Sequence, residues 1–338
     1  MSKLKERKIQ HIALCPDPAN HSLKSNGFEQ YKFEHCALPE LDFDSIDTSV
    51  SFLGKTLSLP LIISSLTGGC TEGQEINRKL AKAAQRYKIG FAVGSQRAAI
   101  VDRSCQNTFN VRKFAPDILL FANLGAIQLN YGFAIDECQR AVDMIEADAL
   151  ILHLNPLQEI FQPEGNKNFS GLLKKIEKIC SKLSSPVVVK EVGYGINSLV
   201  AEKLFQAGVS AVDVSGSGSV SWSNVETERN PNIQKRSADI FKDWGITTAQ
   251  ALKDVTLRCP NSAIIAGGGI KTGVDVAKAI AMGATLCSNA SDFLKAAMMS
   301  EQEVDKLSES IEFELKAAMF CISAKNIAEL RRKSLFVG

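Results

Sequence analysis

Residues 149–159 read Ala-Leu-Ile-Leu-His-Leu-Asn-Pro-Leu-Gln-Glu, an apolar run that passes directly into polar side chains. The run predicts a buried strand, and Pro156 predicts its end because proline cannot donate to a strand ladder. Side chains two apart share a face, so Ile151, His153 and Asn155 lie together while the leucines at 150, 152 and 154 face away. An imidazole, an amide and, at Glu159, a carboxylate therefore gather at the carboxyl end of one strand.

The same strand-then-helix alternation extends along the chain on both sides of this stretch. Eight such units favour an α/β fold of the (β/α)8 TIM-barrel type over a doubly wound sheet, and no GxGxxG dinucleotide motif follows the first strand. Residues 1–58 are polar and rich in turn residues, which predicts an N-terminal arm and covering segment. Residues 59–338 are predicted as the barrel with C-terminal helices. Strands are expected at 59–66, 90–95, 118–125, from 149, and at 186–191, 211–215, 263–266 and 285–289, and helices at 74–87, 134–146, 169–183, 198–207, 248–257, 274–282 and 301–333.

Composition narrows the class of protein. The 338 residues include 45% hydrophobic and 22% charged residues with a net charge of +2, which is typical of a globular domain and offers no nucleic-acid or membrane surface. Nine cysteines without a CxxC pair indicate reduced thiols. With no long apolar segment and no signal-peptide pattern, we expect a cytoplasmic protein.

Polar and glycine residues follow several of the predicted strands, where barrel enzymes carry their chemistry. Ser95 and Arg97 suit a phosphate, and Lys190 is costly to bury at the end of an apolar strand unless it meets an anion. Each feature also has a structural explanation: glycine pairs as plain turns, Lys190 as a surface cation, and Arg7-Lys8 with His11 as a solvated basic tail. Residues 223–245 form a long irregular region, either a lid over the site or a disordered surface loop.

Taken together, these motifs resemble type 2 isopentenyl-diphosphate delta-isomerases, which depend on FMN. The resemblance runs from Arg7 to about Ala290. It rests above all on the stretch His153–Glu159, and it extends to shorter motifs at Thr67-Gly68-Gly69, Gly94-Ser95-Gln96-Arg97, Ala122-Asn123-Leu124-Gly125, Gln162-Pro163-Glu164-Gly165, Val189-Lys190-Glu191-Val192-Gly193, Ser221-Trp222 and Gly268-Gly269-Ile270.

The resemblance implies interconversion of isopentenyl diphosphate and dimethylallyl diphosphate in isoprenoid synthesis. It implies reduced FMN as the working cofactor, NADPH as the reductant that primes it, Mg²⁺ bridging to the diphosphate, and a homo-oligomer (tetramer or octamer). It assigns catalysis to Gln158, His153 and Lys190, substrate binding to Arg7, Lys8, Ser95, Arg97, His153, Asn155 and Gln158, and the metal to Glu159. It assigns FMN binding to Ser65, Leu66, Thr67, Ser95, Asn123, Lys190, Ser215, Val220, Gly267, Gly268, Gly269, Ala290 and Ser291.

The sequence departs from the family pattern at a few positions. Val220 replaces a threonine whose hydroxyl would face the FMN phosphate, Gly267 replaces a serine, and Asn166 replaces an aspartate. Two other functions stay open. One is an FMN-dependent 2-hydroxy-acid oxidase or dehydrogenase, which needs a histidine base and paired arginines, although no histidine follows His153. The other is a non-catalytic barrel that binds a phosphorylated ligand.

Overall fold

Eight parallel strands close into a barrel in the computed structural model, which describes residues 3–230 and 232–338. Met1 and Ser2 of the predicted arm and Pro231 of the predicted irregular region lie outside the described residues. Each strand pairs with the next in sequence, and the last pairs with the first, so the predicted (β/α)8 barrel is confirmed. The barrel strands are β1 (Leu61–Ile63), β2 (Gly90–Ala92), β3 (Leu120–Gly125), β4 (Ala149–His153), β5 (Val187–Lys190), β6 (Ala211–Asp213), β7 (Ile264–Gly267) and β8 (Leu286–Asn289).

Helices surround the barrel and fill its connections. They are α1 (Lys3–Leu14), α2 (Thr71–Tyr87), α3 (Arg97–Val101), α4 (Ile135–Ile145), α5 (Pro156–Phe161), α6 (Leu172–Lys182), α7 (Ser198–Gln206), α8 (Trp222–Arg229), α9 (Lys235–Phe241), α10 (Thr248–Arg258), α11 (Gly273–Ala281), α12 (Ser291–Met299), α13 (Glu301–Cys321) and α14 (Ile327–Leu330). Short 3-10 helices occupy Pro18–Asn20, Phe28–Gln30, Phe43–Ser45, Arg103–Phe109, Arg112–Phe114 and Ala126–Asn130.

The period of two along each strand separates the inside of the barrel from its outside. One buried cluster takes a residue from every strand and forms the barrel interior: Ile62, Ala92, Phe121, Ile151, Val188, Ala211, Ile265 and Leu286. Their neighbours belong to the larger cluster that packs against the helices. On β4, Ile151 faces inward while Leu150 and Leu152 face the helices, as the alternation predicts.

Residues outside the barrel close its amino-terminal end and one flank. An antiparallel hairpin of Val50–Phe52 and Lys55–Leu57 buries Val50, Phe52 and Leu57 in the interior cluster. Farther out, Tyr31–Phe33 pairs antiparallel with Leu335–Val337 near the end of the chain. The covering segment is thus held at both ends, while the carboxyl ends of the barrel strands are left for the loops that build the site.

Irregular structure was predicted for the N-terminal arm and for residues 223–245, and in both places the prediction was wrong. Residues 3–14 form helix α1, and the region 223–245 contains helices α8 and α9. Helix α1 is rich in Lys and Arg, so it lacks an obvious apolar stripe, and only a few residues such as Ile12 are buried. Helix α8 buries three polar side chains and, among apolar ones, only Val225, which leaves no apolar periodicity to detect. In the described part of the chain, no helix is long and apolar enough to cross a membrane.

Candidate active site

Two adjoining cavities lie at the carboxyl ends of the barrel strands. Cavity A has a volume of about 880 Å³ and is lined by α1 and the segments that follow β1, β5, β6, β7 and β8. Cavity B has a volume of about 700 Å³ and is lined by α1, by β3 and by the segments that follow β2 and β4. A ligand in one cavity would touch the same wall as a ligand in the other, because both cavities are lined by His11, Ser65, Leu66, Lys190, Val192 and Trp222.

The structure brings the predicted site residues to these walls. Cavity A receives Ser65, Leu66, Thr67, Lys190, Ser215, Val220, Gly268, Gly269, Ala290 and Ser291. Cavity B receives Arg7, Lys8, Ser95, Arg97, Asn123, His153, Asn155, Gln158 and Glu159.

Three residues assigned to FMN do not line cavity A. Ser95 and Asn123 line cavity B alone, and Gly267 lines neither cavity. A Cβ at Gly267 would lie 2.4 Å from Asp213 Oδ1 and 2.4 Å from Ser288 Oγ, so this glycine allows β7 to pack beside its neighbours.

His153 ends β4 as a neutral acceptor. Its Nδ1 lies 2.9 Å from Asn123 Oδ1, and Asn123 Nδ2 donates to Ser65 Oγ at 2.7 Å. This order of donors places the imidazole proton on Nδ1 and leaves Nε2 as an acceptor. Burial, with the nearby charges of Lys190 and Lys8, lowers the pKa of His153 to about 3. A phosphate beside the ring would favour its protonated form.

The amides and the carboxylate that follow β4 hold one another in place. Asn155 Nδ2 donates to Gln158 Oε1 at 3.1 Å and to Glu159 Oε1 at 3.0 Å. Pro156 begins α5 at a position where its missing N–H costs nothing. Gln158 Nε2 in turn donates to Glu226 Oε1 at 2.8 Å. Both ends of the Gln158 amide are therefore engaged, and its orientation in the cavity wall is fixed.

Glu226 is a fully buried carboxylate on α8 that joins the cavity wall to α1. His11 Nε2 lies 2.9 Å from its Oε1, and Arg229 donates to its Oε2. Burial favours the neutral acid, but the hydrogen bond from His11 and the charge of Arg229 outweigh it and lower the pKa of Glu226. An ionised carboxylate thus lies directly behind Gln158.

Cations collect on the side of cavity B formed by α1. Burial is the main reason that the pKa of Lys8 is lowered, to about 8, and Arg7 adds to the effect. Burial also lowers the pKa of Arg7, whose Nη1 lies 3.6 Å from Glu164 Oε1. Buried cations of this kind indicate an anionic ligand, because an anion offsets their loss of hydration.

Lys190 ends β5 between the two cavities, and the next residue fixes the loop that follows. Lys190 Nζ donates to the carbonyl oxygen of Glu191 at 2.5 Å. Glu191 Oε2 accepts the backbone N–H groups of Val192, Gly193 and Tyr194 at 2.7, 2.7 and 2.5 Å. Burial nevertheless raises the pKa of Glu191 to about 7. The loop therefore curls around a carboxylate and presents Val192 to the wall between the cavities.

Comparison with known proteins identifies the family of the chain. A family model described as FMN-dependent dehydrogenase matches residues 15–114 and 153–337. An isopentenyl-diphosphate delta-isomerase of Nostoc sp. is 48% identical over 332 residues, 98% of this chain and 95% of that protein. One of Rickettsia canadensis is 47% identical over 331 residues, 98% of this chain and 97% of that protein. The chain belongs to the isopentenyl-diphosphate delta-isomerase family. The resemblance inferred from the motifs is confirmed.

Solved structures place this isomerase-family chain on a widely used flavoprotein fold. A mandelate oxidase bound to (S)-mandelic acid matches with a TM-score of 0.69 at 17% identity, covering 98% of this chain and 94% of the other. A putative lactate oxidase of Pediococcus acidilactici matches with a TM-score of 0.68 at 18% identity, covering 99% and 94%. At these identities the likeness concerns the fold alone.

Cavity A fits the flavin that the isomerase family implies. The buried Thr67 hydroxyl on its wall has no hydrogen-bond partner among the described residues. At the other side, Ser219 Oγ and Ser291 Oγ lie 3.2 Å apart at the start of α12. Hydroxyls and exposed backbone N–H groups at a helix start suit a phosphate, and the Ser219 hydroxyl lies beside the position where Val220 has none.

A metal has one candidate ligand in this isomerase-family site. Glu159 Oε1 accepts from Asn155, and Oε2 accepts from the backbone N–H of Asn166 at 2.5 Å. Within the described residues, no group of three or more His, Cys, Asp or Glu side chains could hold a metal ion. The site therefore fits a Mg²⁺ ion that one carboxylate holds together with water and phosphate oxygens, as is usual for Mg²⁺ that bridges to a phosphate substrate.

Several residues of the isomerase-family site were not assigned from sequence. His11 stood out only as a potential cation, whereas its ring contacts Trp222 edge-on at a centroid distance of 5.1 Å and binds Glu226. Glu226 and Arg229 fell in the region expected to be irregular. An isolated acidic residue in a polar stretch gives no sequence signal, because its role depends on partners more than 200 residues away.

Proposed function

We propose that this protein interconverts isopentenyl diphosphate and dimethylallyl diphosphate, using reduced FMN in cavity A and Mg²⁺ at Glu159. The observation that carries the proposal is the shared wall between the cavities. Cations from α1 and Arg97 line cavity B, which shares Lys190 and Trp222 with cavity A. A diphosphate held by these cations would extend its short hydrocarbon chain toward the flavin.

The flavin would be held by residues that already line cavity A. Thr67 offers an unpaired hydroxyl, Ser219 and Ser291 flank the proposed phosphate end, and Lys190 places positive charge beside the ring. Reduced FMN, when bound, supplies an electron-rich ring with a nitrogen that can exchange a proton. Positive charge from Lys190 favours its anionic form.

The reaction adds a proton to the terminal alkene carbon, which places positive charge on the internal alkene carbon. It then removes a proton from the methylene next to that internal carbon. Gln158 is a poor acid or base by itself, so its role is to hold a fixed amide edge against the reacting carbons. Its orientation is set by Asn155 on one side and ionised Glu226 on the other. The carboxylate also puts negative charge behind the wall where positive charge develops in the transition state. Leu66 and Trp222 limit the access of water to this wall.

At the diphosphate end, the residues of the chain would bind and orient the substrate. Arg7, Lys8 and Arg97 supply positive charge, and His153 lines the same cavity. Glu159 is the residue that would bind Mg²⁺, and NADPH would serve only to reduce the flavin before turnover. The proposal also includes a homo-oligomer (tetramer or octamer), taken from the family resemblance, and a cytoplasmic location, taken from cysteine usage.

An oxidase function is less well supported. A 2-hydroxy-acid oxidase needs a histidine base with arginines that bind a carboxylate, and the described segment after β7 begins Gly268-Gly269-Ile270. The arginines that line cavity B, Arg7 and Arg97, lie instead on α1 and after β2.

The proposed reaction is tested by following isopentenyl diphosphate by NMR in heavy water, with purified protein, FMN, NADPH and Mg²⁺. We expect dimethylallyl diphosphate carrying deuterium, without stoichiometric use of NADPH, because no net oxidation occurs. Glu159→Gln should abolish Mg²⁺-dependent turnover while FMN remains bound, and unchanged turnover would exclude Glu159 as the metal ligand. Bound FMN without isomerisation or exchange in the wild-type protein would contradict the proposal.

A further inference from the structure

Arg97 differs from the other arginines of the site in the partner that its guanidinium meets. Arg97 Nη1 donates to the side-chain oxygen of Asn166 at 3.2 Å. Arg7 lies beside Glu164, and Arg229 lies beside Glu164 and Glu226. Across residues 3–230 and 232–338, no carboxylate forms an ion pair with Arg97. Its charge is therefore uncompensated where it faces cavity B.

Asn166 is itself held from several directions. Its side-chain oxygen also accepts from Gln128 Nε2 at 3.3 Å, so two donors fix which end of the amide faces Arg97. Its backbone N–H donates to Glu159 Oε2 at 2.5 Å. The preceding Gly165 lies so close to α5 that a Cβ there would be 1.8 Å from the carbonyl oxygen of Glu159. One residue thus connects the guanidinium of Arg97 to the carboxylate of Glu159 on a tightly packed loop.

We propose that Asn166 is a positioning residue for the substrate's phosphate groups, aligning Arg97 without neutralising it and fixing its distance from Glu159. The inference rests on the proposed function and adds a specific residue to it. A neutral acceptor occupies one N–H of the guanidinium and leaves the others to form paired hydrogen bonds with phosphate. The family pattern has an aspartate at this position, which would form an ion pair with Arg97 and compete with the phosphate for the same N–H groups. The asparagine of this chain leaves those groups to the phosphate, so we expect it to strengthen phosphate binding relative to that pattern.

The test uses the FMN-loaded protein and magnesium pyrophosphate as the probe, with affinity measured by isothermal titration calorimetry. We expect Asn166→Asp to bind pyrophosphate roughly tenfold more weakly than the wild type, because an ion pair replaces a hydrogen bond from Arg97 to a neutral acceptor. We expect KM for isopentenyl diphosphate to rise by a similar factor while kcat changes little, since Arg97 does not touch the reacting carbons. A substitution that only disturbed folding would change FMN content and kcat as well.

Asn168→Asp is the matched control. It adds the same charge two residues away, at an exposed side chain whose oxygen binds the backbone N–H of Ser170 and makes no contact with Arg97. Its pyrophosphate affinity should equal that of the wild type. A loss as large as that of Asn166→Asp would overturn the proposal, because general repulsion of the anion would then explain both variants.

A double variant separates an effect through Arg97 from other effects. If Asn166 acts by aligning Arg97, then Asn166→Asp should have almost no further effect on affinity in the Arg97→Ala protein. Additive losses, or a single Asn166→Asp variant with wild-type affinity, would overturn the inference. If wild-type protein binds pyrophosphate but does not isomerise the substrate, the proposed reaction fails while the role of Asn166 in anion binding is still decided by these titrations.

Discussion

Burial gives Lys8 a side-chain charge that depends on pH near neutrality. Its ammonium group lies in the wall of cavity B, where burial lowers its pKa to about 8. A bound anion favours the charged form, so anion binding is linked to protonation of Lys8. Below the folded-state pKa the cation is present, and as pH rises through it the cation is lost. We therefore expect the affinity for pyrophosphate to fall between about pH 7 and about pH 9.

The control for this titration is Lys8→Arg, because arginine stays charged throughout the range. Pyrophosphate also changes its own charge with pH, and that contribution is the same for both proteins. Calorimetric affinities at several pH values, compared between the two proteins, isolate the part due to Lys8. Parallel pH profiles would show that another group is responsible.

How well sequence predicts a contact in the site depends on how far apart the two residues lie along the chain. His153, Asn155 and Glu159 follow one strand, so the period of two and the proline after it were enough to predict that they meet. Glu226 binds His11 across 215 residues. No local pattern encodes such a pair, because it exists only after the barrel has brought α8 and α1 together.

At the level of elements, helix α11 packs so closely on α13 that its first residue must be glycine. A Cβ at Gly273 would lie 2.3 Å from the backbone nitrogen of Leu315 and 2.4 Å from the carbonyl oxygen of Ile311. Backbone atoms cannot move aside as a side chain can. We expect Gly273→Ala to lower the free energy of unfolding by about 1–3 kcal/mol, the usual cost of overpacking, as measured by urea denaturation.

Val274→Ala provides the comparison in the same helix, since this side chain is 40% exposed. Removing two methyl groups there should change stability by less than about 1 kcal/mol. Equal effects of the two substitutions would show that the contact between α11 and α13 adjusts easily. FMN content should be retained in both, because neither residue lines cavity A.

Elements with an apolar period were predictable, and elements that bury polar groups were not. The barrel strands were located within a few residues because most of them consist of short apolar runs. Helix α8 escaped detection since it buries Ser223, Asn224 and Glu226. Glu226 binds His11 and Arg229, and the backbone N–H of Ser223 donates to the hydroxyl of Tyr194. Asn224 Nδ2 donates to the carbonyl oxygen of Ala19 at 3.4 Å, but its Oδ1 has no partner among the described residues. Hydropathy patterns report only apolar burial, so this helix beside the proposed site was among those they missed.

For the whole molecule, cavity A depends on closure of the barrel, because its walls come from both ends of the sheet. Residues from β1 to α12 meet around one space. FMN should therefore bind the folded protein and not the unfolded chain. At a free FMN concentration about 100 times Kd, mass action adds about 2.7 kcal/mol of stability, which corresponds to a rise in Tm of roughly 4 °C for a domain of this size.

Differential scanning calorimetry of apoprotein with and without added FMN measures this shift. Riboflavin, which lacks the phosphate, should give a smaller rise if the hydroxyls of Ser219 and Ser291 bind the phosphate end. Equal shifts for both flavins would argue against that orientation, and the absence of any shift would argue against FMN binding in cavity A.

The hydrogen bonds from α1 to α8 can form only late in synthesis of the chain. Residues 10 and 11 leave the ribosome early, but their partners Arg229 and Glu226 are made more than 200 residues later. During synthesis α1 has no partner on α8, and the cation-lined wall cannot form. A half-made chain therefore lacks a complete cavity B, and we expect it to bind diphosphates more weakly than the finished chain. Binding ability is gained only when most of the barrel exists to use it.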